Sequence, residues 1–192
     1  MDVNLGGRTA EGFSALYFAS ALGHGEMVRL LLSLPNINLD QGEPRENFTT
    51  PLLEATAIGN TDVVEILLGH QDIDVNRGVS GLTPLYVSST RGYASIVELL
   101  IRHPNTNVNE VSSRGGMTAL GIACHFGHTE VAKMLLRCKK TDVDARNMTL
   151  IWQGEEEIAV KAPLDYAKER GFDDIVKAFE TRDNLLQLGE TC

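Results

Sequence analysis

Gly81-Leu82-Thr83-Pro84-Leu85-Tyr86-Val87-Ser88 sets the architecture of the chain, together with Gly92 and the run Ile96-Val97-Glu98-Leu99-Leu100-Ile101 beyond it. Thr83 offers a side-chain oxygen to the orphan N–H groups of a helix start. Pro84 suits the first helical position, where φ is already right and no N–H is needed. Gly92 ends that helix by taking a left-handed conformation at little cost. The apolar residues that follow recur at helical spacing, so a second helix returns alongside the first.

The same pattern recurs along the chain without gaps. Helix starts fall at Ser14-Ala15-Leu16, Thr50-Pro51-Leu52, Thr83-Pro84-Leu85, Thr118-Ala119-Leu120 and Ala162-Pro163-Leu164. Nine residues beyond each first position stands Gly23, Gly59, Gly92, Gly127 or Gly171. Five beyond it stands a small residue (Ala19, Ala55, Ser88, Ala123 or Ala167), which lets neighbouring helices approach closely. The second helices carry Met27, Val28, Leu30, Leu31 and Leu32, then Val63, Val64, Ile66, Leu67 and Leu68, with similar sets from Ile96 and Val131 and a weaker one in Ile175, Val176, Ala178 and Phe179. So wide an apolar face on a short helix pair must be covered by the next pair along the chain.

These features resemble the ankyrin repeat. The resemblance rests on the G-x-T-P-L-x-x-A start, the mid-repeat glycine (with histidine after it in Gly23-His24 and Gly127-His128), the branched-aliphatic run of the second helix and the closing Asp74-Val75-Asn76. It covers nearly all of residues 10–180. The family's usual histidine after T-P-L is Tyr17, Leu53, Tyr86, Gly121 and Asp165 here, so its helix-linking hydrogen bonds do not carry over. The implied fold class is all-α: an ankyrin-repeat solenoid of stacked helix-turn-helix units with β-hairpin connections. Residues 1–192 then form a single domain with repeats at about 10–40, 47–76, 80–109, 115–144 and 161–181. A hairpin insertion occupies 147–161 and a C-terminal tail 182–192.

The helix starts lie 36, 33, 35 and 44 residues apart, and all the variation falls in the loops joining units. Insertions there cost little. The longest one has β-favouring runs on either side of Gly154, which reads as an extended hairpin carrying the sole tryptophan, Trp152. Trp152 is either a binding anchor or a staple onto repeats four and five. Asp2-Val3-Asn4 repeats the ending at Asp74-Val75-Asn76, so the chain is expected to begin as though a preceding repeat had been cut away. Phe13, Leu16, Phe18 and Leu22 make that end apolar, whereas a solenoid end needs a polar cap. Asp165, Lys168, Glu169, Arg170, Asp173 and Asp174 make the fifth unit polar, and residues 182–188 are expected to add a short helix over it.

Hydrophobic residues make up 43% and charged residues 22%, the balance of a soluble globular protein. A net charge of −9 argues against nucleic-acid binding and against attraction to anionic membranes. The first residues form no signal peptide, and no apolar run approaches the roughly 18 residues of a membrane span. The three cysteines lack Cys-x-x-Cys spacing, which points to reduced thiols, with Cys138 at the surface, in the cytoplasm or nucleus. No P-loop, G-x-G-x-x-G, G-x-S-x-G or H-E-x-x-H pattern occurs. Cys124, His125 and His128 lie close in sequence but lack the second ligand pair of a structural zinc site. The expectation is a monomeric non-enzyme with no metal, no cofactor and no membrane insertion.

Ankyrin repeats bind through hairpin tips and the exposed side of the first helices, which line a concave groove. Carried over by position, this implies a stripe of Phe13, Leu22, Ile58, Leu82, Met117 and Phe126, with Tyr17, Tyr86, Arg91 and His125 beside it. Trp152 joins the set from the insertion. Contiguous exposed apolar surface marks an interaction site, and aromatic, Met and Arg residues are enriched at interface cores. The function implied is a module binding a partner protein or peptide. The alternative is a targeting or regulatory ankyrin segment of a larger enzyme, channel or effector. Ankyrin-rich proteins are also substrates of an asparaginyl hydroxylase, which makes Asn76 and Asn109 candidates for hydroxylation. Asn76 follows Leu68 by eight residues and ends an acidic-apolar-Asn triplet, while Asn109 has Asn107 in the acidic place. The competing reading of both is a turn asparagine held by local hydrogen bonds.

Overall fold

The computed structural model describes residues 14–40, 49–113, 115–145, 151–153, 156–158 and 160–188. The first unit contains α1 (Ala15–Ala21) and α2 (Gly25–Leu32), and the second α3 (Pro51–Ile58) and α4 (Thr61–Leu68). The third pairs α5 (Pro84–Arg91) with α6 (Ala94–Arg102), and the fourth α7 (Ala119–Phe126) with α8 (Thr129–Arg137). Strands β1 (Ile151–Gln153) and β2 (Glu156–Ile158) follow in the insertion. The fifth pair is α9 (Pro163–Glu169) and α10 (Asp173–Glu180), and α11 (Arg182–Leu188) closes the series.

Each start is built as its residues dictate. Ser14, Thr50, Thr83 and Thr118 accept hydrogen bonds from the backbone N–H groups of Tyr17, Leu53, Tyr86 and Gly121 at 3.1–3.2 Å. Proline opens α3, α5 and α9. The first helices pack side by side as one layer (α1, α3, α5, α7, α9) and the second helices as another (α2, α4, α6, α8, α10). Ala19, Ala55, Ser88, Ala123 and Ala167 are all buried between units, where small side chains were expected. One continuous apolar core runs the length of the stack.

Unit-to-unit contact has a second component. From unit 2 onward, the residue after the mid-repeat glycine reaches back over the glycine of the unit before. Asn60 donates to the Ser20 carbonyl at 3.0 Å, and His128 Nε2 lies 2.9 Å from the Thr90 carbonyl oxygen. The rings of Tyr93, His128 and Phe172 come within 3.2, 2.5 and 2.5 Å of where a Cβ on Gly59, Gly92 and Gly127 would stand. These glycines therefore supply both a positive φ and an empty space.

The second helices share one apolar pattern but are not covered alike: unit 1 differs. Met27 is 49% exposed, whereas its register equivalents Val63, Ile96, Val131 and Ile175 are at most 1% exposed. Leu30 is exposed too. The cover at this position comes from the preceding unit, which α2 lacks among the described residues.

Among the described residues, the tip of unit 3 keeps an isolated bridge between Val79 and Leu82, with Ser80 (φ 56°) and Gly81 (φ 74°) at its centre. Ser80 then accepts hydrogen bonds from the backbone and hydroxyl of Ser113 in the next tip, at 2.9 and 3.0 Å. The insertion forms the expected antiparallel pair, with Trp152 opposite Glu157. The Trp152 side chain lies outside what the structure describes. At the far end α11 packs on α8 and α10, and Arg182 donates to the carbonyls of Leu136 and Thr141 at 3.3 and 2.6 Å.

Cys138, read as a surface thiol, is buried and is not a free thiol. Cys124 is free and fully buried, and burial pushes its thiol up to about 12. It therefore stays protonated and shielded at neutral pH. Alkylation of Cys124 by iodoacetamide is expected to follow global unfolding across a urea series, read by mass spectrometry. Rapid labelling in native buffer would contradict its placement.

Candidate functional site

The eighth residue after each helix start forms one row along the first-helix layer. Leu22 is 66% exposed, Ile58 48% and Phe126 49%, and Arg91 and Arg170 are exposed in the same register. The repeat alignment also places the residue just before each of them, His125 among these, on the exposed side of the first helix. In units 1 to 4 they are half-buried instead: Ala21, Ala57, Thr90 and His125. Successive residues on a helix point about 100° apart, so one of each pair faces outward while the other leans on a neighbour.

Leu82, Met117, Tyr17 and Tyr86 are half-buried, so the stripe is exposed on its helix side and partly covered on its hairpin side. Phe13 lies outside the described residues. Burial raises the Tyr86 phenol above its usual range, against a hydrogen bond with Ser112 that lowers it. Between units 2 and 3 a cavity of about 290 Å³ is lined by Thr49, Leu53, Glu54, Ala57, Val79, Leu82 and Val87. Of these, sequence reasoning singled out Leu82 as a contact residue. Leu53, Val79 and Val87 were legible only as apolar, because the hairpin fold that brings them together spans two units. A larger cleft of about 630 Å³ lies between α2 and α4, bounded by Arg29, Leu32, Ser33, Glu65, Ile66, Gly69 and His70. It belongs to the opposite layer and shares no residue with the row.

At the fourth unit the row acquires a polar cluster. The Arg170 guanidinium lies 3.1 Å from His125 Nε2, and the His125 ring meets Phe126 and Tyr166 edge-on at 5.0 and 5.2 Å. Burial first, and the Arg170 charge second, hold the His125 pKa below its ordinary value. The neutral ring then accepts from Arg170 through Nε2, which leaves the proton on Nδ1, a buried atom with no hydrogen-bond partner. Cys124, His125 and His128 do not converge: the first is core, the second meets Arg170 and the third meets Thr90.

Asn76 and Asn109 turn out to be joints between units. Asn76 donates to the Asn105 carbonyl and accepts from the Asn107 N–H, both at 2.7 Å. Asn109 does the same with Lys140 and Asp142, both at 2.8 Å. The local turn bonds come from the residue two earlier, Asp74 and Asn107, whose side chains accept from Asn76 N–H and Asn109 N–H. A hydroxylase acting on either asparagine must work on a carboxamide held at both ends. Asn109→Ala is expected to lower stability by about 1–2 kcal/mol, since it breaks two inter-unit bonds. Urea unfolding followed by circular dichroism measures it, and an unchanged midpoint would count against the joint.

The family model for ankyrin repeats (three copies) matches residues 1–78 and 52–147. A comparison with curated proteins gives no match. The fifth helix pair, α9 and α10, lies beyond the matched region and continues the same two layers. On the helix pairs, their glycines and the family match together, the chain belongs to the ankyrin-repeat family.

Proposed function

We propose that this chain is a non-catalytic module that binds a partner protein or peptide along the first-helix layer. Ankyrin repeats are generally protein–protein interaction modules. The observation that carries the reading is the in-register exposure of Leu22, Ile58, Arg91 and Phe126, with the aliphatic cavity at Leu82 beside them. Large apolar groups held open to water on a rigid layer gain free energy when a partner covers them. The net charge of −9 favours a protein over a nucleic acid as that partner.

Replacing Leu82, Met117 and Phe126 together by asparagine or glutamine tests the groove. Affinity capture from native lysate, wild type beside variant, should show the loss of a specific partner, with binding weakened by roughly 2 kcal/mol or more. Unchanged capture by a variant with native circular dichroism would count against the groove.

The alternative, a regulatory segment of a larger assembly, draws on a different observation. Phe18, Met27 and Leu30 leave the outer face of unit 1 apolar and exposed, where another unit or a partner would cover it. Among the described residues, no helix is long and apolar enough to cross a membrane.

A further inference from the structure

We propose that the groove takes an extended peptide whose aliphatic and acidic anchors alternate every three residues, its two carboxylates meeting Arg91 and Arg170. This rests on the binding reading above and names the chemistry of the occupant.

Among the described residues, five cations already sit against carboxylates: Arg29 on Glu26, Arg77 on Asp40, Arg102 on Glu98, Lys133 on Glu130 and Lys161 on Glu169. Arg91 and Arg170 do not. Both are exposed at the same register position, in units 3 and 5, and neither meets a carboxylate among the described residues. The one polar partner of Arg170 on the row is His125, held neutral by burial and by Arg170 itself. Phe126 stands between the two arginines, half exposed. In a chain of net charge −9, this is a cationic, aromatic and cationic sequence whose two arginines meet no carboxylate among the described residues.

Packed helices lie about 8–10 Å apart, and an extended peptide rises about 3.3 Å per residue. A peptide running along the row therefore advances about three residues per unit. Starting from Ile58 and the cavity lined by Leu53, Ala57, Val79, Leu82 and Val87, the order is aliphatic at the cavity and acidic at Arg91. A second aliphatic follows at Phe126 and a second carboxylate at Arg170. Glu54 fixes this register, because it lines the cavity and its negative charge disfavours an acidic residue placed there. Lys161 engages Glu169 beside Arg170, which leaves the Arg170 charge available. Charge-assisted, two-pronged contacts from arginine to carboxylate are the strong kind of hydrogen bond. The pattern is Φ-x-x-[Asp/Glu]-x-x-Φ-x-x-[Asp/Glu], in either chain direction.

Phage display of random dodecapeptides on the whole immobilised chain tests this. Three baits are used: wild type, Arg91→Glu/Arg170→Glu, and the Leu82, Met117 and Phe126 polar variant, each checked by circular dichroism. Wild type is expected to enrich the alternating pattern, and the best synthetic peptide should lose roughly tenfold or more in affinity on the charge-reversed bait by fluorescence anisotropy. The charge-reversed bait should instead enrich lysine or arginine at the two acidic positions. If enriched peptides need the apolar groove but lack the acidic spacing and bind the charge-reversed bait equally, the chemistry proposed here is overturned while the groove stands. If they bind the polar groove variant as well as wild type, the groove itself is wrong. A selection that enriches nothing overturns a short linear peptide as the occupant.

Discussion

Gly81→Ala is expected to lower stability by about 3 kcal/mol, well above the cost of the same change at Gly171. Both glycines hold a left-handed φ, 74° and 71°, and placing a Cβ there costs roughly 1–2 kcal/mol. Only Gly81 adds a collision. Its Cβ would stand 2.5 Å from the Val111 carbonyl oxygen and 2.7 Å from Ser112 Cα, both backbone atoms of the next connection, while Gly171 has nothing within 4 Å. Ser80 and Gly81 together occupy the centre of a two-residue turn closed by Val79 and Leu82, and positive φ at both centres is the mark of a type I′ turn. The backbone cannot step aside without breaking the Ser113 to Ser80 bond that ties the two tips. Urea denaturation of the two variants in parallel separates strain from crowding. Equal midpoints would mean that the tips of units 3 and 4 do not press together.

Ile96→Ala should cost about 3 kcal/mol, the usual range for a truncated core isoleucine being roughly 2–5. Met27→Ala, at the same register position, should cost under about 1 kcal/mol, as an exposed substitution does. Ile96 is 1% exposed and Met27 is 49% exposed. The two helices read alike in sequence, and the difference lies wholly in whether a preceding unit covers them. Similar losses at the two sites would show that the outer face of α2 is covered in solution.

The helix pairs were legible because every signal for them is local. Thr83 caps a bond three residues away, Pro84 needs only its own φ, and Gly92 turns the chain where it stands. What the sequence could not display was the relation between units. The repeat pattern showed a histidine after Gly127, but the lodging of His128, and of Asn60, Tyr93 and Phe172 at the same position, against the unit before depends on how far the layers slide. Asn76 and Asn109 looked like turn asparagines, and their bonds in fact cross to residues about 30 positions on. The groove was half visible. Ile58 and Phe126 point outward as expected, yet which of two adjacent residues is open depends on helix phase, and repeat alignment does not fix phase.

The backward reach of Asn60, Tyr93, His128 and Phe172 gives successive units a common joint. The seat is always the same bare glycine, while the fastener varies freely among amide, phenol, imidazole and phenyl. A duplicated unit would bring its own fastener and meet a bare glycine as its seat, while the bond between the tips of units 3 and 4 belongs to that boundary.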